Sequence, residues 1–390
     1  MSMWKHNVSL SADRRHCLRK LAGLGLAISL PNSFAAKAST YVRKPTTLST
    51  SPIVLASAFE THDAEHGVAL IDIDGVVQSR LELPARGHDC VFHPTGHELV
   101  AFARRPGTFM AIASTTGVRP VRYIHSVPGR HFYGHGVFSL DGKRLYATEN
   151  DYKNARGTIG IYDVADDYRR VGEYDSHGVG PHDIGLHSDG RSLVVANGGI
   201  ATHPDFGRAK LNLPDMKSNI AVVDSLTGDL ILHVAQTEEW PRLSLRHLAV
   251  DSNANWHLGG QYEGDPEDAA PLVGVLRRNG ALSLRTAPRQ WQVRLKNYVS
   301  SICVIPNTPW VATSSARGGV VLLWNALSGQ AVHVLEVPDG SGVSGTDGAL
   351  HVSDGAGRVQ GFSIDTDGVA QSTGEERVTR LHWDNHLASR

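Results

Sequence analysis

The chain has 390 residues, with 38 lysines and arginines, 39 aspartates and glutamates, and 21 histidines. Five of the basic residues and one of the acidic ones lie within residues 1–35, so the remainder, 33 basic against 38 acidic, carries about −5. A mildly acidic surface argues against nucleic acid and anionic membrane as partners, since both select basic faces.

The N-terminus runs Arg14-Arg15-His16-Cys17-Leu18-Arg19-Lys20, then an apolar stretch over 21–30, then Pro31 and small residues ending near Ala35 or Ala38. Basic, apolar, small is the order of a twin-arginine signal peptide. It assigns 1–38 to a leader and predicts export to the bacterial periplasm. Ten apolar residues fall short of the roughly 20 a spanning helix needs, and no other segment approaches that length, so no membrane span is expected. The route carries folded proteins, often already loaded with a cofactor. Beyond the leader only Cys90 and Cys303 remain, which allows at most one disulfide within the chain.

Residues 39–390 read as one all-β domain. Three strings, Gly87-His88-Asp89, Gly134-His135-Gly136 and Pro181-His182-Asp183, set a histidine at intervals of 47 and 47 residues, and Arg246-His247 follows after 65. Each opens an apolar strand, a Gly, Pro or Asn turn and a second apolar strand. A β pattern with that period predicts the four-stranded blades of a propeller. Units begin at His88, His135, His182, His247 and Ser301, with a shorter one near Val343. The segment 52–83 supplies only three strands, over 53–59, 67–73 and 76–83. The missing innermost strand is expected from Asn385-His386-Leu387-Ala388-Ser389, which closes a seven-bladed ring and leaves no free sheet edge there.

On that count His386, His88, His135, His182 and His247 occupy one position in five consecutive blades, while Ser301 and the small residues around Ser344 leave the remaining side open. Neutral imidazole is the commonest side-chain metal ligand, and imidazole-rich sites suit iron, copper or zinc rather than calcium or magnesium. The five histidines are therefore the candidate metal ligands, with iron or copper as the expected ion. A wide propeller channel predicts that no single ion touches all five. Asp89 and Asp183 are expected to orient ligands or cap strands. Glu149, Asn150 and Asp151 are candidates for added oxygen ligation, or a solvated loop. The long excursion over 198–216 is a candidate lid that brings His203 to the site. An alternative is that the histidines make structural hydrogen bonds, as in WD-type propellers, although the Gly is missing before three of them and Trp-Asp is absent from the positions where such propellers carry it. No Gly-x-Ser-x-Gly, His-Glu-x-x-His or phosphate-cradling glycine loop suggests hydrolysis.

Several longer strings carry a family likeness. They are Asn197-Gly198-Gly199-Ile200-Ala201-Thr202-His203-Pro204-Asp205, Lys210-Leu211-Asn212-Leu213-Pro214-Asp215-Met216, Ser176-His177-Gly178-Val179-Gly180-Pro181-His182-Asp183, Gln261-Tyr262-Glu263-Gly264-Asp265-Pro266 and Trp383-Asp384-Asn385-His386. Together they resemble the bacterial family known as domain of unknown function 1513, over nearly the whole chain after the leader. The resemblance implies an exported propeller whose genes lie beside imelysin-type iron-regulated proteins and a di-haem peroxidase-like oxidoreductase. It thus implies a periplasmic part in iron acquisition, with such proteins as partners, and its matched strings contain His182, His203 and His386. Two other functions fit the same residues: a metal-free scaffold docking those partners, and a copper-dependent redox enzyme, for which the histidine-lined hub of nitrous oxide reductase is a fold-level analogy.

Overall fold

A computed structural model describes residues 52–117, 119–374 and 377–390; the expected leader, 1–38, lies outside the described residues. The strands assemble into seven antiparallel sheets, each the blade of a propeller. Within a blade the two middle strands are covered on both faces and read as near-continuous apolar runs, such as Glu98–Ala103 (ELVAFA) and Val320–Asn325 (VVLLWN). Outermost strands such as Leu230–Ala235 alternate between exposed and half-buried residues. No helix among the described residues is long and apolar enough to cross a membrane.

The hairpins between first and second strands repeat one turn chemistry. Asp141 Oδ1 accepts the Lys143 N–H at 3.0 Å and Asp189 Oδ1 the Arg191 N–H at 2.7 Å, with Gly142 (φ 70°) and Gly190 (φ 68°) in the left-handed region between them. Gly142 also serves the packing between blades. A Cβ there would lie 2.4 Å from Nε2 of His93, which bonds the Gly142 carbonyl at 3.1 Å.

First strands of neighbouring blades lie against one another around the ring: Gly87–Phe92, Arg130–Phe138, Pro181–Leu186, Leu243–Val250, Ser301–Val304 and Gly340–Thr346. The ring closes where Leu381–Trp383 and Ala388–Ser389 pair antiparallel with Ile53–Thr61. The blade starts and the closing strand depart from the expectation. Blades three, five and seven begin at Arg130, Leu243 and Gly340, ahead of His135, His247 and Val343, and the closing strand comes as two pieces separated by residues 384–387.

The apolar core lies between blades rather than at the centre. Phe102, Ile112, Phe132 and Tyr162 fill one such layer, and Leu55, Ile71, Val359 and Trp383 fill the one that joins the last blade to the first. Because the layers between blades satisfy the hydrophobic requirement, the axis is free to hold polar groups.

Candidate metal centre

Each histidine on the innermost strands is set by an irregularity of its strand. Pairing with the second strand shifts register between Gly87 and Cys90, Phe132 and Gly136, Pro181 and Asp183, and Leu245 and His247, at or beside His88, His135, His182 and His247. A bulge frees one residue from the ladder and re-aims its side chain, here toward the axis. His386 lies in the gap between the two closing strands, which gives it the same freedom. Gly134 (φ 111°) belongs to this construction, since a Cβ on it would lie 2.5 Å from the His88 ring.

The five imidazoles form one compact cluster. His135 stands 4.9 Å from His88, 5.2 Å from His182, 6.0 Å from His247 and 4.7 Å from His386, centroid to centroid. His88 and His386 are 4.6 Å apart, and His182 and His247 4.7 Å. The open channel expected to separate them is filled by the rings themselves. Two sets of three nitrogens, from His88, His135 and His182 and from His135, His247 and His386, lie within 4.8 Å of one another. His203 joins neither set. Its Nδ1 accepts the Asp205 N–H at 3.2 Å, starting the short turn Pro204–Phe206, and its ring lies edge-on to Tyr152 at 5.0 Å.

Carboxylates hold the outer nitrogens. His135 Nδ1 bonds Asp89 Oδ2 at 3.1 Å, with Asp183 Oδ1 at 3.5 Å, and His88 Nδ1 bonds Asp384 Oδ1 at 3.2 Å. This fixes ring orientation and directs Nε2 inward, as expected of histidines that bind metals. His135 Nε2, His182 Nδ1, His247 Nδ1 and His386 Nε2 are buried with no hydrogen-bond partner among the described residues. Histidines serving as structural hydrogen-bond donors would not leave four nitrogens unmatched, each at a cost of about 1–3 kcal/mol. Bare imidazole lone pairs facing one another suit a cation that accepts them.

The electrostatics agree with that reading. Burial, reinforced by neighbouring imidazoles, lowers His182, His247 and His386 well below the usual histidine range. Burial likewise pushes His88 down to about 4 despite its bond to Asp384. For His135 burial is outweighed by the Asp183 and Asp89 carboxylates, which raise it. Burial pushes Asp183 up to about 6, whereas His88, Arg104 and Arg86 overcome burial at Asp384 and hold it far below the carboxylate range. Four of the rings are thus neutral, the form that binds metals.

Because Asp89 bonds Nδ1 of His135, Nε2 is the nitrogen left for a metal, and the two sets, both of which include His135, could serve as alternatives for a single ion. A metal would need to lie about 2.0–2.2 Å from each imidazole nitrogen, a distance that these rings would reach by side-chain rotation. Asp89→Asn, which weakens the acceptor behind His135, is expected to loosen the metal by about 10–100-fold while the fold is kept. Competition with a calibrated chelator measures this.

Other candidates have structural employment. Glu149 is fully buried, accepts from Tyr162 Oη at 2.6 Å and pairs with Arg170 at 2.8 Å. Asn150 donates toward His131 Nε2 at 2.9 Å and to the Thr202 carbonyl at 3.1 Å, while Asp151 pairs with Arg130 at 2.6 Å and Arg156 at 3.1 Å. They are buried cross-strand ties, neither metal ligands nor solvated loop. Cys90 and Cys303 are free thiols beside the axial channel, with burial pushing Cys303 up to about 12 and Cys90 higher than the usual thiol range.

Asp384 escaped the sequence reading. It precedes its histidine by two residues, whereas Asp89 and Asp183 follow theirs directly. The irregular closing strand is what brings it to His88, with Arg86 and Arg104 each 2.6 Å away.

On one side of the rings a channel of about 390 Å³ is lined by Asp89, Asp183, Ser301 and Ser344 with His135, His247 and His386. On the other side His88, His182 and His247 face a small chamber walled by arginines.

The metal-free protein should lose stability on acidification. His88, His182, His247 and His386 stay neutral in the fold, but in the unfolded chain each takes a proton near pH 6.5. Between pH 6.5 and about 4 the unfolded state therefore binds more protons. Their contribution is present above 6.5 and is lost as pH falls through that window. Urea midpoints of chelator-treated protein at pH 7.5 and 5 should fall in that order, and equal midpoints would contradict the assignment.

Fold and site together define a seven-bladed propeller with a histidine cluster on its axis that could hold a metal ion. The family model described as "Protein of unknown function (DUF1513)" matches residues 81–390, and the chain belongs to that family. No curated protein matches it. Among solved structures the chain is similar to hydrazine synthase of Kuenenia stuttgartiensis, with TM-score 0.58 and 11% identity over 80% of this chain and 96% of that one. It is also similar to the U3-55K structure, with TM-score 0.51 and 12% identity over 74% and 80%. At those identities the likeness concerns the fold alone.

Proposed function

We propose that this protein is a periplasmic metal-binding propeller of an iron-acquisition system, holding one iron or copper ion on the hub through His135 and two of His88, His182, His247 and His386. The observation that carries the metal is the set of four buried imidazole nitrogens without partners, one of them on His135, the ring that a carboxylate already orients. Imidazole-rich donors suit both ions. Support for the compartment comes from the Arg14-Arg15 leader. Support for iron comes from the family resemblance, which also makes imelysin-like or di-haem peroxidase-like proteins the partners that would receive the ion or exchange electrons with it.

Two experiments test the proposal. Anaerobic titration of the chelator-stripped mature protein with Fe(II), and separately with Cu(I) and Cu(II), should saturate at one equivalent. Two tight equivalents would contradict the shared role of His135, and no binding of either metal would overturn the proposal. Fractionation of cells producing the full chain should place it in the periplasm, and an Arg14→Lys, Arg15→Lys variant should stay in the cytoplasm. Periplasmic arrival of that variant would remove the leader argument.

A further inference from the structure

The arginine-walled chamber faces the hub directly. Arg104, Arg105, Arg208 and Arg246 line it with Tyr133 and Tyr298, against His88, His182 and His247. These cations come from separate elements: Arg104 and Arg105 follow the second strand of blade two, Arg208 comes from the long excursion in blade four, and Arg246 precedes His247. Nearby carboxylates are too few. Asp384 serves both Arg86 and Arg104, and Glu263 serves both Arg246 and Lys210. Arg105 and Arg208 have no carboxylate partner among the described residues, and Arg104 keeps a buried Nε without an acceptor. Burial, and then the nearby Arg105, lowers Arg246 to about 10; burial together with neighbouring arginines lowers Arg105 and Arg208 as well.

An uncompensated group of guanidinium ions beside a cation site opposes metal binding, because each unit charge at a few ångströms repels the ion. Planar N–H forks with no acceptor are also the groups that take carboxylate or phosphate oxygens in pairs. We infer that this chamber binds a small oxyanion, which neutralises Arg105 and Arg208 and presents an oxygen toward the hub as a co-ligand of the metal. The enclosed volume, about 30 Å³, admits an inorganic oxyanion or a single carboxylate-bearing group rather than a large chelate. The lid expected over 198–216 thus contributes to the site through Arg208 rather than His203. The anion site stands on the arginines alone; its co-ligand role rests on the metal reading above.

Calorimetric titration of the metal-stripped mature protein with inorganic phosphate, bicarbonate and oxalate tests the site, and the arms separate a tetrahedral phosphate from a planar carboxylate source. At least one should bind at one equivalent. An Arg105→Gln, Arg208→Gln variant should bind it at least about tenfold more weakly, the loss of one charge-assisted hydrogen bond or more. Since neither arginine has an ion pair to lose, the variant should melt no lower than the parent, and Arg208→Gln alone, on the exposed excursion, should give part of the loss. Absence of binding up to about 10 mM for all three anions, or equal binding by the double variant, overturns the site. Metal affinity should then rise about tenfold or more in the presence of the anion, and anion affinity by the same factor in the presence of metal. Equal metal affinities overturn the co-ligand role. Anion binding without any metal binding leaves this site standing and defeats the metal proposal instead.

Discussion

Replacing His135 by alanine is expected to weaken binding of the hub metal by well over about 100-fold, the upper end of what a residue behind a ligand costs. His135 is the ring nearest the middle: it lies within 6.0 Å of each of the other four and belongs to both sets of nitrogens that converge. His88→Ala or His247→Ala removes only one of the two sets, so each should leave a residual site and cost less than the His135 change. A graded series with His135 at the bottom is the expected outcome of chelator competition. Equal small losses for all three would mean that the rings do not act as alternative triads around one shared ligand.

Trp383→Ala should produce the largest loss of stability, about 3–5 kcal/mol. The indole is buried against Leu55, Ile71 and Val359 and lies edge-on to Phe59 at 6.3 Å, at the seam where the last strand closes the first blade. The next residues are the broken strand that carries Asp384 and His386. Opening the seam therefore also releases the acceptor of His88 and one ligand, so metal affinity should fall with stability. Val378→Ala, on an exposed edge strand of blade seven, should stay within about 0.5 kcal/mol of the parent. Urea denaturation of the three proteins with and without metal measures both effects. Indifference to Trp383→Ala would contradict closure by the C-terminal strands.

Legibility in the sequence followed repetition. His88, His135 and His182 announce themselves by a spacing of 47 because each lies on the first strand of its unit, and one position repeated around a ring has to meet at the axis. His386 followed from the missing strand of blade one. Features that do not repeat stayed hidden. Asp384 is placed by a strand break, and Arg104, Arg105, Arg208 and Arg246 reach one chamber from unrelated blade positions. Glu149, Asn150 and Asp151 look like a polar loop because nothing in their order reveals the arginines and tyrosine waiting across the sheet. His203 is attractive in a long loop, yet local geometry engages it as the cap of a turn. The cluster is also tighter than a propeller channel suggests, because bulges carry the rings inward in a way that strand periodicity cannot convey.

Metal K-edge X-ray absorption on the mature protein, purified without an affinity tag and quantified by elemental analysis, tests the central claim most directly. The account predicts one iron or copper per chain, with nitrogen scatterers at about 2.0–2.2 Å and the outer-shell pattern of imidazole, both absent from folded His135→Ala. A protein without stoichiometric metal as isolated and after reloading, or a metal whose spectrum lacks imidazole, would contradict it.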